Sequence, residues 1–378
     1  MPETKTRVET RYEHLDCLRA VAVMLVVVAH AGLGNIVPGG SGVTIFFVIS
    51  GFIITHLVLK EFDRSSNFSA GGFYYRRFLK LFPPFLFVVL IPTIICSFFA
   101  QINWASVSGQ VFFYFNWIYM RREDPHVFPG SGVVWSLSIE EQFYIVFALL
   151  WICALRSRHA IRVLWIVAVA TTIWPLLLRI ALIVDGTSQY RIYYGTDTRV
   201  DAIAFGVAAA IFYRGVLRDS GSVEPWLQRI RRLAAHDVTF VAALGLYVLS
   251  VVIRQPDFRE TFRYTFQAVA AAELILFGFL AGPTLIRRMY GRLSALKLVK
   301  YIGLASYSIY LIHLTIERTL SDSLDSWPQP LAVGTNTLLA VAAGLLIWQL
   351  IEKPVERYKN SRKSAAHIPR HAYAGVAK

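Results

Sequence analysis

Ten stretches of roughly 20 predominantly apolar residues recur along this chain, at 15–33, 42–60, 79–100, 137–155, 162–184, 200–216, 237–254, 265–286, 299–318 and 331–351. A helix of that length spans a hydrocarbon core about 30 Å thick. Inside such a core the backbone must satisfy its own hydrogen bonds, which only helices and closed barrels achieve. The runs are too long for barrel strands. The fold class they predict is therefore all-α, a polytopic membrane protein of about ten transmembrane helices with no separate soluble domain. Between the third and fourth runs, Val111–Met120 is aromatic, short and interrupted by Asn116, which suits an interfacial or re-entrant helix.

Charge supports this reading through its placement. The net charge of +14 invites nucleic-acid binding, but the 38 Lys and Arg cluster in short segments between the apolar runs. Assigned to alternate sides of ten spans, 28 fall on one side and 8 on the other, while Arg19 and Arg179 lie within spans. By the positive-inside rule both termini are expected in the cytoplasm, and no nucleic-acid partner is expected. The first 14 residues are polar and no small-residue cleavage site follows the first run, so that run reads as a retained helix. Residues 358–378 read as a basic cytoplasmic tail that can touch anionic lipid headgroups. With 16% charged residues against about 25% in soluble domains, and a mean hydropathy of +0.50, the composition argues against a soluble enzyme of this size. Cys17, Cys96 and Cys153 lack metal-ligand spacing and read as small hydrophobes, so no metal site is expected.

Ionisable groups within spans default to functional hypotheses, and here they form two layers. The inner layer is Arg19 with Arg76, Arg77 and Lys80, placed where the third span begins. Farther out lie His30, Glu140, Glu141, Arg179, Arg199, Asp201, His313 and Glu317. Arg19 and His30 are 11 residues apart, about 1100° of helical rotation and about 16 Å of rise, so they share a face at two depths. Arg19 fits either a headgroup anchor or a group receiving a molecule from the cytosol; His30 fits either an interior hydrogen bond or a reacting base. Glu140 is the expected partner of His30, because a carboxylate beside an imidazole fixes its tautomer and raises its basicity. Glu141 shares the catalytic candidacy, although Ser138 and Glu141 also have capping-box spacing. Ser306, Tyr310 and His313 fall near one helix face, as interhelical glue or as substrate contacts. Ser50 and Gly51 permit close approach of another helix or of a thin ligand, with helix packing the default.

In order along residues 12–357, LDCLRAVAVMLVVVAH, the Gly-rich loop into FFVISGFII, YYRRFLKLFPP, VVWSLSIEEQFY, TRVDAIAFG and SYSIYLIH resemble the membrane-bound acyltransferase family 3. The resemblance implies a transmembrane acyltransferase domain over 12–357 that takes an acyl group, usually acetyl, from acyl-CoA on the cytoplasmic side. The acceptor it implies is a cell-surface or lipid-linked carbohydrate, reached from the membrane or the outer face of a bacterial inner membrane. The family's Arg and His match Arg19 and His30, its basic motif matches Arg76, Arg77 and Lys80, and its tryptophan-to-glutamate motif matches Trp135 through Tyr144. Read with the two layers, Arg19, Arg76, Arg77 and Lys80 are the candidates for holding acyl-CoA phosphates, the pantetheine arm threading past Gly51. His30, Glu140 and Glu141 are the catalytic candidates, and Trp135, Tyr144, Arg199, Asp201 and His313 the acceptor-binding ones. Family members often carry an extracytoplasmic esterase-like domain; none is seen in this sequence, which points to direct transfer or a separate partner. A transporter or flippase would also place charges near the midplane, but no internal twofold repeat is evident.

Overall fold

Each of the ten apolar runs becomes a helix in a computed structural model of the chain, which describes residues 12–121, 124–218 and 225–366. Among the described residues, seven helices are long and apolar enough to cross a membrane: α1 (Glu13–Leu33), α2 (Gly39–Ser65), α3 (Ala70–Cys96), α4 (Ser131–Ala154), α5 (Ala160–Val184), α8 (Phe262–Leu280) and α10 (Gln329–Lys359). Two more pass that test only as bent pairs, α7 (Leu227–Ala234 with Asp237–Val252, bent 67°) and α9 (Lys297–Leu304 with Ser306–Leu324, bent 76°). The remaining helix, α6 (Thr196–Arg218), is long enough but carries Arg199, Asp201 and Arg214. It packs most extensively on α2 and also on α5 and α8, and Arg199 and Asp201 are fully buried among them. No strand occurs among the described residues. Lys5, Arg7 and Arg11, and the tail beyond residue 366, lie outside the described residues; the start of the tail continues a helix over Lys353–Ala366.

Several boundaries depart from the hydropathy reading for local reasons. Helix α3 begins nine residues before the apolar run at 79–100, because the Ser69 side chain caps it by accepting from Gly72 N at 3.1 Å. Arg76, Arg77 and Lys80 therefore lie within the helix, not at its start. Pro83 and Pro84 then remove two backbone donors, and a π-helical turn follows at Leu86–Leu90. Further π-turns fall at Ala29–Leu33, which contains His30, and at Trp348–Glu352. The Val111–Met120 segment is broken: helices Trp104–Val111 and Phe115–Tyr119 are separated at Phe113, whose φ is +58°. Asn116 anchors the second of these to the start of α6 and the residues just before it, donating at 3.0 Å to both Tyr194 O and Thr196 Oγ1.

The α2–α6 contact is set by two glycines. A Cβ at Gly51 would overlap the Ile203 carbonyl oxygen, and one at Gly206 would overlap that of Val48. Small residues at facing positions let helix backbones approach closely, which is how helices associate where lipid tails supply no hydrophobic drive. Gly51 therefore serves helix packing, and the expectation that an acyl-donor arm threads past it is overturned: its missing side chain is replaced by a backbone, not by open space. Gly51→Ala should lower the thermal unfolding midpoint in detergent by an amount equivalent to about 1–3 kcal/mol of overpacking. Gly245→Ala, where a Cβ meets nothing within 4 Å, should leave it unchanged. Equal midpoints for the two variants would show that α2 and α6 can separate freely.

Candidate functional site

Helix α3 turns Arg76, Arg77 and Lys80 into a cavity of about 290 Å³, where Arg19 of α1 and Lys359 of α10 join them. Five cations thus converge from three helices at one end of the bundle. A second cavity of about 190 Å³ shares Arg19, Lys80, Glu352 and Lys359 with the first. Carboxylates hold some of these cations in place. Arg76 pairs with Glu61 and Arg77 with Glu141, each at 2.9 Å, and Arg19 lies 3.7 Å from Asp16. Glu352 faces into the same space and accepts a hydrogen bond from Ser308.

The other end of the cavity is lined by hydroxyls and one carboxylate. Ser136 and Glu140 stand one turn apart on α4, and Tyr144 is a further turn along, so one helix stripe carries all three. Glu140 accepts from Ser50 Oγ at 2.9 Å and from Tyr144 OH at 3.0 Å, and Ser50 also bonds Tyr144. The next residue points about 100° away around the helix, toward α3, where Glu141 meets Arg77. The Arg77 guanidinium lies 3.3 Å from the centre of the fully buried Tyr144 ring. Ser136 and Tyr310 share a 2.7 Å hydrogen bond across α4 and α9. The cavity therefore grades from cationic at one end to hydroxyl-lined at the other, between apolar walls that include Phe46, Phe47 and Leu137.

Two sequence expectations fail here. Glu140 is not the partner of His30, because its proton-bearing neighbours are Ser50 and Tyr144. Glu141 does not complete a capping box with Ser138. A 3₁₀ turn at Ser131–Val133 starts the helix earlier, so Ser138 lies within it and donates to Val134 O at 3.2 Å. His30 instead sits toward the opposite end of α1 from Arg19, outside the cavity lining, with its Nδ1 2.9 Å from Val26 O and 3.3 Å from Nε2 of His313. His313 is buried, three residues beyond Tyr310, and its own Nδ1 lies 2.7 Å from Tyr310 O.

Arg199, Asp201 and Trp135 lie outside both cavities. Asp201 and Arg179 form a fully buried ion pair at 2.8 Å that joins α5 to α6. Arg179 also donates to the carbonyls of Thr261 and Thr198 and to Thr265 Oγ1, and Thr265 donates to Asp201. Arg199 donates to Thr44 Oγ1 at 3.2 Å and stacks 4.0 Å from the Tyr264 ring centre. Trp135 packs edge-on against Tyr194. Sequence reading missed Glu352 and Lys359 as cavity residues, and Ser308 as the hydroxyl that holds Glu352. The available signal was a lone carboxylate, Glu352, at the end of the last apolar run.

Removing one member of a buried ion pair leaves the other charge unpaired at about 3–5 kcal/mol. Asp201→Asn should accordingly lower the unfolding midpoint in detergent sharply, while Arg179→Met combined with Asp201→Leu should recover much of it. A single variant as stable as wild type would show that Arg179 is neutralised elsewhere.

A family model described as an acyltransferase domain matches residues 12–352. The chain is similar to the peptidoglycan O-acetyltransferase OatA of Listeria monocytogenes, 27% identical over 367 residues that cover 93% of this chain and 57% of that protein. It is also similar to the O-acetyltransferase OatA of Staphylococcus aureus, 26% identical over 373 residues that cover 94% of this chain and 58% of that protein. The chain thus spans somewhat over half the length of these relatives. No solved structure matches it.

Proposed function

The chain belongs to the membrane-bound acyltransferase family that its motifs resemble, and on that premise we propose that it carries an acetyl group from acetyl-CoA to a hydroxyl of a surface or lipid-linked carbohydrate. The observation that carries this reading is the graded cavity, cationic where Arg19, Arg76, Arg77, Lys80 and Lys359 converge and hydroxyl-lined where Ser50, Ser136, Glu140 and Tyr310 meet. Coenzyme A has the matching polarity, with phosphates at one end and a slender amide-bearing arm that ends in the thioester. Charge-assisted bonds from guanidinium and ammonium groups to phosphate are the strong kind. The hydroxyls and Glu140 would face the amides of the arm, while Glu141 positions Arg77 at the boundary.

His30 lies beyond Tyr310, in contact with His313 and the more exposed of the two imidazoles, and on this reading it is the group that moves the proton. In the step it serves, the acceptor oxygen attacks the thioester carbonyl carbon as its proton passes to His30, and the C–S bond breaks. The leaving thiolate takes that proton, so the products are an ester and free thiol and no other reactant is consumed. The cationic mouth belongs on the cytoplasmic side, where acyl-CoA is made and where the charge asymmetry of the loops puts both termini. Peptidoglycan is the first acceptor to test, given the names of the relatives.

Purified protein given labelled acetyl-CoA, with and without peptidoglycan fragments, tests the reading. Wild type should release or transfer label. Arg76→Ala should do so only at raised donor concentration, and His30→Ala should lose about 10²–10⁴-fold in turnover while binding donor normally. Absence of acetyl-CoA binding by wild type would reject this donor, and near-normal turnover by His30→Ala would remove His30 from the chemistry.

A further inference from the structure

We infer that His313 is a positioning residue that holds His30 in the tautomer with its proton on Nδ1, leaving Nε2 as the basic nitrogen offered to the acceptor hydroxyl. This deepens the acyl-transfer reading and rests on His30 acting as its base. The inference follows from which atoms can only accept. The Tyr310 carbonyl lies 2.7 Å from Nδ1 of His313, and a carbonyl oxygen has no proton to give, so Nδ1 of His313 carries one. A neutral imidazole has one N–H; Nε2 of His313 is then a lone pair. That lone pair lies 3.3 Å from Nδ1 of His30, and the Val26 carbonyl lies 2.9 Å from the same atom. Two acceptors aimed at one nitrogen require that nitrogen to be the donor. The His30 proton is therefore on Nδ1, shared between the two.

Placement supports the assignment. His313 is 2% exposed whereas His30 is exposed, so the buried ring orients the accessible one. The two rings come from different helices, α9 and α1, with centroids 5.1 Å apart. His30 also sits in the π-helical turn Ala29–Leu33, an irregularity frequent at functional sites. When Nε2 takes the acceptor's proton, the resulting imidazolium keeps Nδ1–H pointed at two acceptors already in place. The identity of the protonated nitrogen is set by what the other nitrogen bonds, and His313 supplies half of that bond.

The test compares His313→Leu with His313→Gln in the full chain, using the labelled acetyl-CoA assay. Leu cannot accept a hydrogen bond, whereas the Gln side-chain oxygen can. His313→Leu should lower kcat about 10- to 100-fold with the donor KM unchanged. That is less than the roughly 10⁴-fold seen where a histidine base is left in the wrong tautomer, because the Val26 carbonyl remains. His313→Gln should recover most of the loss. Nitrogen-15 spectra of histidine-labelled protein, with His30 assigned by its absence in His30→Gln, should show Nδ1 protonated in wild type and a larger Nε2-protonated share in His313→Leu, where the Val26 carbonyl alone holds the proton. If His313→Leu does not fold, the wild-type spectrum and His313→Gln still decide. A wild-type His30 protonated on Nε2 overturns the inference, as does wild-type kcat in His313→Leu alongside an inactive His30→Ala. Full activity in His30→Ala overturns instead the underlying role of His30, and this inference with it.

Discussion

Charged side chains carried into an apolar bundle must find partners inside it, because the surrounding hydrocarbon offers none. In this protein that requirement decides which helices touch. Arg179 and Asp201, both fully buried, bind α5 to α6, and Thr265 brings α8 to the same point. Arg77, held by Glu141 and the face of Tyr144, joins α3 to α4. The Arg77 contacts immobilise helices whose neighbouring residues line the cavity, whereas the Arg179–Asp201 pair braces helices that lie outside it.

Close packing does the complementary work. Gly51 and Gly206 let α2 and α6 approach until their backbones meet, and this frees the adjacent residue, Ser50, to face the cavity beside Glu140. Helix α6 can carry its ionisable residues only because α2, α5 and α8 surround it. A helix with several ionisable residues is thus largely enclosed by its neighbours.

The site divides along the length of the bundle. One end gathers cations around a carboxylate, Glu352, which keeps the cluster from being uniformly repulsive. The middle presents Ser50, Ser136, Glu140 and Tyr310. Beyond Tyr310, the His30 and His313 pair lies outside the cavity lining, so the cation-rich end and the imidazoles occupy separate compartments. That separation suits a transfer in which donor and acceptor approach from opposite faces.

Apolar run length alone was enough to indicate ten helical elements and the all-α class, because the cost of exposing backbone to lipid leaves little else possible. The grouping of Arg19, Arg76, Arg77 and Lys80 as one layer was legible, and the cavity gathers them; Glu140, expected in the outer layer beside His30, lines that same cavity instead. Helix starts were less legible: the Ser69 cap and the Ser131–Val133 turn are local hydrogen-bond events that hydropathy does not register. Partner choice was not legible at all. Glu140 and Glu141 are neighbours in sequence, yet one serves Ser50 and Tyr144 and the other Arg77, because 100° of helix rotation sends them to different helices. Glu352 and Ser308 are 44 residues apart, and His30 and His313 are separated by 283. The sequence by itself determined which segments are helical and which carry charge, since those follow from local hydrophobicity and spacing. Only the tertiary structure decided which buried charge meets which, because that depends on how helices distant in sequence cross.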